Sequence, residues 1–376
     1  MSQNVNWSRH PASWVLAAAL VVAGWVLFSH QRPEPPAARD DLSAVLRAWD
    51  RETTAGDFPR PASERGQLRF PREHGVHADV PFEVWDTVMR LTSEQGTRWL
   101  RVRFLRLAAA ARAPDRGSAW AASEFLRAEL TLVAGAPAGS AHVVRNSRVA
   151  LGIAGRASDP PKLWINGDSL AWVRTEASGD QWELVLHESE LQARLQLTLA
   201  TPRVTSGDTD LPGGPWAGYL HPHLAVSGEL KTADGARPVL GTGWFTHNWG
   251  PVPPVGGQVT FDRWLLQFDQ GDALVLVQTR RRDGSAPPSS RAVWIAANGQ
   301  IRALDRPVAQ VKTGSRRPDA WSLITPDGRT RLKVEATTES TDDTATDQGM
   351  AVSVRVEGQH DGRPVTGWGV IDVGSP

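Results

Sequence analysis

A chain of 376 residues has room for two domains of ordinary size. Its 41 basic residues balance its 41 acidic ones, so no net field favours nucleic acid, which is not expected as a partner. Cysteine is absent, which excludes disulfides, thiolate metal sites and a cysteine nucleophile, while Trp occurs 17 times against a single Tyr.

Residues 11–29 carry no formal charge and contain the run from Trp14 to Phe28. A membrane-spanning helix needs ~20 such residues, and Trp14 and Trp25 fall where interfacial indoles prefer to sit. The following Ser29-His30-Gln31-Arg32-Pro33 is a poor cleavage site. The segment therefore predicts a signal anchor over 11–29, with 1–10 in the cytoplasm. The bulk of the protein is expected on the periplasmic side of a bacterial inner membrane. Residues 30–65 are rich in Pro and Ala and read as a tether, with one short helix between Asp41 and Trp49.

From Gly66 the pattern becomes that of strands. Arg194 to Leu199, Arg331 to Glu335 and Val352 to Glu357 alternate apolar and polar residues, a period that buries one face and wets the other. Asn166-Gly167, Asp234-Gly235, Asp283-Gly284, Asn298-Gly299, Asp327-Gly328 and Asp361-Gly362 punctuate these runs as hairpin turns. Ala119 to Leu132 fits a helix or a strand equally. The Pro- and Gly-rich stretch 203–217 predicts a linker between two β units, 66–202 and 218–376. Many short antiparallel strands imply sandwiches or barrels, an all-β class.

Two stretches carry the chemistry. One is Phe70-Pro71-Arg72-Glu73-His74-Gly75-Val76-His77 with Glu83-Val84-Trp85-Asp86, and the other is Gly243-Trp244-Phe245-Thr246-His247-Asn248-Trp249. With Pro161 to Leu170, Thr260-Phe261-Asp262-Arg263-Trp264 and Gly367 to Asp372, they resemble the AttH-like and carotenoid 1,2-hydratase family. The resemblance implies two consecutive lipocalin-like β-barrels. It departs from the family pattern at Glu73 for Asp, at Val84 and Asp86 for two aromatics, and at Thr246 and Asn248 for two carboxylates. Within the hydratase branch it implies that Asp262 protonates an isolated double bond, with His247 and Trp249 shaping the site. His74, His77, Glu83, Trp85, Trp244 and Trp264 are the expected ligand-lining residues.

Each residue also has a plainer reading. Asp262 can be a surface carboxylate paired with Arg263. His247 and Trp249, two apart, share a strand face and can form a structural hydrogen bond beneath a core indole. His74 and Glu83 can hydrogen-bond a barrel closure. Zinc accepts His and Glu, and His221 and His223 could join Glu73, His74, His77 and Glu83, but no helical His-Glu-x-x-His occurs, so no metal and no cofactor are assigned. The run Arg280-Arg281-Arg282 reads as a solvated turn. No serine elbow, phosphate loop or dinucleotide fingerprint is present.

The expected function is binding of an elongated apolar molecule (a lipid, isoprenoid or polyketide), and the resemblance adds an ABC-type permease as a partner. An alkene-protonating hydratase or cyclase is the second reading, and a structural scaffold with solid barrels is the third.

Overall fold

The computed structural model describes residues 68–374 except 111–116, 119–120, 135–139, 176–178, 200–203, 212–213, 252–258, 282–288, 312–318 and 338–349. The expected helices over 11–29 and 41–49, the tether and the Asp283-Gly284 turn lie outside the described residues. Among the described residues no helix is long and apolar enough to cross a membrane.

Two large curled antiparallel sheets form two barrels. The first comprises β1 (Phe82–Ser93), β2 (Gly96–Ala108), β3 (Glu124–Ala134), β4 (Ala141–Arg148), β5 (Ala154–Ser158), β6 (Pro161–Ile165), β7 (Asp168–Thr175), β8 (Gly179–His187), β9 (Gln192–Leu199), β10 (Val204–Leu211), β11 (Gly214–Thr232) and β12 (Gly235–Gly250). The second comprises β13 (Val259–Phe268), β14 (Ala273–Arg281), β15 (Ser289–Ile295), β16 (Ile301–Leu304), β17 (Val308–Val311), β18 (Ala320–Ile324), β19 (Thr330–Ala336), β20 (Met350–His360) and β21 (Arg363–Val373). Neighbouring strands in sequence pair along most of each sheet. Each sheet also joins its first strand to its last, β1 to β12 and β13 to β21. The two halves thus repeat one architecture without repeating a sequence motif.

Alternation was a sound guide. Along β9 and β19 the apolar positions point inward and the charged ones outward. Leu195 and Leu197 join one core, Leu332 and Val334 the other. The ambiguous segment near Ala119 becomes strand from Glu124, because it pairs with β2 along its length and buries Leu126, Ala128 and Leu130 against the first core. Between β20 and β21 the two-residue turn Asp361-Gly362 has both φ angles positive, 50° and 73°. Such a turn matches the twist of its strands.

The division of the chain differs from the sequence expectation. Residues 218–250 belong to the first sheet, where β11 pairs β9 and β12 pairs β1. The stretch 203–217 is not a linker between barrels, since it contains β10 and the start of β11. Both long strands are needed to complete the first barrel, and the chain enters the second sheet only with β13.

The outer faces of β1, β2 and β12 meet the second barrel. Trp244, Leu265 and Ile295 pack there in a dry patch with Val204. Beside it lies a four-membered ion network. Asp86 accepts from Arg101 at 3.0 and 2.7 Å and from Arg263 at 2.6 Å, and both guanidiniums also reach Asp372. Asp86, which stands at an aromatic position of the family phrase, is therefore an anchor between barrels. Burial disfavours its charge, but Arg101 and Arg263 outweigh that and hold it far below the usual carboxylate range.

Candidate functional site

Register builds the site. On the face of β1, β12 and β11 that looks into the first barrel, Glu83 lies opposite Trp249, Trp85 opposite His247, and Tyr219 opposite His247 on the other side. Period two then puts Glu83 and Trp85, His247 and Trp249, and Tyr219 into one contiguous patch. A single 3-10 turn, Arg72–His74, precedes β1 and brings Glu73, His74 and His77 to the same end of the barrel.

Two polar chains result. In the first, Glu83 is fully buried and its Oε1 accepts from His77 Nδ1 at 2.6 Å and from His247 Nε2 at 2.8 Å. The backbone N–H of His77 also donates to Glu83, at 3.1 Å to Oε2. The far nitrogen of His77 donates to Glu73 Oε2 at 2.8 Å. Carboxylates only accept, so the partners of His77 call for its doubly protonated form. Burial opposes a charge on His77, but the bonds to Glu73 and Glu83 overcome it and raise its pKa. Burial likewise resists ionisation of Glu83, yet the bonds from His247 and His77 prevail and bring it down to about 2. His247 has only the one carboxylate against complete burial, so its pKa is lowered and the neutral ring is favoured. Its Nδ1 makes no well-formed hydrogen bond, only a weak approach to the Glu73 carbonyl.

In the second chain, His74 Nε2 donates to Asp180 Oδ2 at 3.3 Å, which leaves Nδ1 to accept from the Tyr219 hydroxyl at 2.7 Å. The carboxylate thereby fixes the imidazole tautomer, and the imidazole polarises the phenol. Asp180 is a quarter exposed, whereas His74 and Tyr219 are buried. The chain therefore runs from the rim to the interior.

Aromatic rings surround both chains. Trp249 stacks on His77 at 3.8 Å and 12°, and Trp85 on His247 at 4.4 Å and 21°. Trp172 and Trp182 flank His74 at 5.5 and 5.6 Å. The indole N–H groups of Trp85, Trp172, Trp182 and Trp249 are buried and meet no acceptor among the described residues.

Of the residues expected from sequence, His74, His77, Glu83, Trp85, His247 and Trp249 come together here. Trp244 lies between the barrels and Trp264 in the second core. Asp262 is also in the second sheet. Its expected partner Arg263 is engaged with Asp86 and Asp372, and Asp262 instead pairs through both oxygens with Arg280 and accepts from the Gly374 N–H. Arg280 is therefore not a purely solvated turn residue. Tyr219 and Asp180 escaped the sequence reading. The solitary tyrosine of a Trp-rich chain was the one signal available for the first.

The AttH-like family model matches residues 61–366. The chain belongs to the AttH-like family. No curated protein sequence matches it. Among solved structures, this AttH-like chain is similar to a protein provisionally assigned as AttH from Nitrosomonas europaea, with a TM-score of 0.64, 21% identity, and coverage of 82% of this chain and 97% of that one. It is also similar to kievitone hydratase from Nectria haematococca, with a TM-score of 0.60, 11% identity, and coverage of 85% and 97%. At those identities the likeness establishes the AttH-like fold and nothing about activity.

Proposed function

We propose that the interior of the first barrel receives a small, mostly apolar molecule that carries an oxygen acceptor. The observation that carries this reading is the set of four buried indole N–H groups without acceptors among the described residues, two beside His74 and two beside His247. Buried donors in a settled core find partners, so a cluster of unmet ones points to an occupant with lone pairs. Indole faces suit an unsaturated hydrocarbon body, and the rim carboxylates Glu73 and Asp180 mark the wet end.

Intrinsic tryptophan fluorescence titrated with farnesol, an isoprenoid alcohol, tests the reading. A saturable change is expected, weakened roughly 3–10-fold in Trp249→Leu, as the loss of one stacking face implies. No saturable response, together with no organic molecule extracted from the purified protein, would leave the barrels as solid scaffold.

Proton transfer to a double bond is the second reading, suggested by the hydratase among the structural neighbours; it requires His74 in its doubly protonated form, with Nε2–H on Asp180 and Nδ1–H on the Tyr219 oxygen, so that the phenol proton is free to face the alkene. The family resemblance assigns the proton to Asp262, while the geometry favours the Asp180–His74–Tyr219 chain. Comparing turnover of a polyene by Tyr219→Phe and Asp262→Asn decides between them. The reading further takes residues 11–29 as an inner-membrane anchor with the barrels in the periplasm, supported by their lack of charge and flanking indoles. Retention in membranes under alkaline carbonate is the expected result, and release of a shortened chain would overturn it. An ABC-type permease as partner is supported by the family resemblance alone.

A further inference from the structure

We propose that His77 Nδ1, Glu83 and His247 Nε2 form a binding site for one zinc-type divalent transition-metal ion. The three ligand atoms lie within 4.8 Å of one another and come from two paired strands and the loop that precedes them. Two imidazoles and one carboxylate are a common donor set for zinc, with the fourth position left for water or a ligand oxygen. Donors of this kind also suit ferrous iron.

The surroundings are those of a metal site more than of an ordinary core. His77 turns its other nitrogen to Glu73, the carboxylate–histidine arrangement that orients a ligating imidazole and raises its basicity. The His77 backbone N–H holds Glu83 in place. Trp249 and Trp85 stack on the two imidazoles and fix their planes. Arg106 approaches Glu83 to 3.7 Å, but its charge is also answered by Glu124 at 3.0 Å.

The proton balance is simple. In the metal-free protein a proton on His77 Nδ1 occupies the position between the ring and Glu83. Metal binding releases that proton and leaves the Nε2–H donating to Glu73, and the neutral His247 ring must also shift its Nε2 proton to Nδ1 before Nε2 can ligate. The carboxylate–imidazole pairs, at 2.6 and 2.8 Å, would open by about 0.6 Å to reach the separations of ligands around zinc. This inference stands whether or not the barrel holds an organic molecule.

The full-length chain, stripped with a chelator and then equilibrated with zinc sulfate near pH 7.5, is expected to retain about one zinc per chain after desalting. Cobalt substitution is expected to give the intense visible bands of a low-coordinate site. Glu83→Gln and His247→Asn should each abolish retention, while His187→Gln, at an exposed histidine closing β8, should keep it. Glu73 is less buried than the three ligands, so Glu73→Gln tests the site at lower risk of unfolding the chain, and should weaken zinc about 10–100-fold. Failure of the wild-type chain to retain zinc, or weak octahedral cobalt bands, would overturn the site. Undiminished zinc affinity in Glu73→Gln with unchanged stoichiometry in His247→Asn would do the same.

Discussion

Glu83→Gln is the sharpest test of the buried cluster. In the wild type a charged carboxylate sits fully buried and accepts from two imidazoles and a backbone N–H. Holding that carboxyl at about 2 instead of 4.5 corresponds to about 3 kcal/mol of stability at neutral pH. Because the folded pKa lies below the unfolded one, this contribution is present in full above about pH 4.5. It drains away as pH falls from there toward 2. Glutamine keeps the volume but loses the charge and turns an amide N–H₂ toward donors. Urea unfolding of wild type and variant at matched pH, from 7 down to 3, reads the effect. The variant should be about 3 kcal/mol less stable at pH 7, and the gap should narrow steadily below pH 4.5. Other depressed carboxylates such as Glu124 titrate in both proteins and cancel in the difference. A gap under about 0.5 kcal/mol at pH 7, or one that does not change with acid, would refute the buried charge.

The ion network between barrels predicts a different pattern. Asp86→Asn, which leaves Arg101 and Arg263 sharing Asp372, should cost about 3–5 kcal/mol, whereas replacing Asp86, Arg101, Arg263 and Asp372 together with apolar residues should cost less; thermal unfolding of the two variants compares them. Asp168 runs opposite to Glu83. Burial and the nearby Glu188 raise it to about 6, so the stability tied to its proton is full below about pH 3.8 and lost as pH rises through 6. Asp168→Asn should therefore be about 2 kcal/mol more stable than wild type at pH 7 and equal to it near pH 3.5, as measured by denaturant unfolding. Gly218→Ala places a methyl 2.5 Å from the His247 carbonyl and 2.4 Å from Asn248 Oδ1. It should lower stability by about 1–3 kcal/mol and alter tryptophan fluorescence, since β12 must shift.

Much of the site was legible before the fold was known, for a local reason. Glu73, His74 and His77 lie within five residues, and His247 and Trp249 share a face because strands alternate. Asp262 was legible as a motif but not as a location. A carboxylate beside Arg263 in sequence points to the opposite face of its strand, so Arg263 turns to Asp86 while Asp262 meets Arg280 on the neighbouring strand. The boundary between barrels failed for a similar reason. Proline and glycine at 203–217 signal a break in pairing, and β10 and β11 do shift register there, but a local irregularity does not say to which sheet the next strand belongs.

By itself, the sequence determined the all-β class, the alternating strands and the hairpin turns, because side-chain period and turn chemistry are properties of neighbours along the chain, and its motifs from Phe70 to Asp86 and from Gly243 to Trp249 carried the resemblance to the AttH-like family. Only the tertiary structure decided that β11 and β12 close the first barrel, that Asp86 binds two guanidiniums between barrels, and that Tyr219 meets His74. The links from β1 to β12, from Asp86 to Arg263 and from His74 to Tyr219 join residues 145 or more positions apart, where the contact is set by strand register and barrel closure and leaves no trace in local spacing.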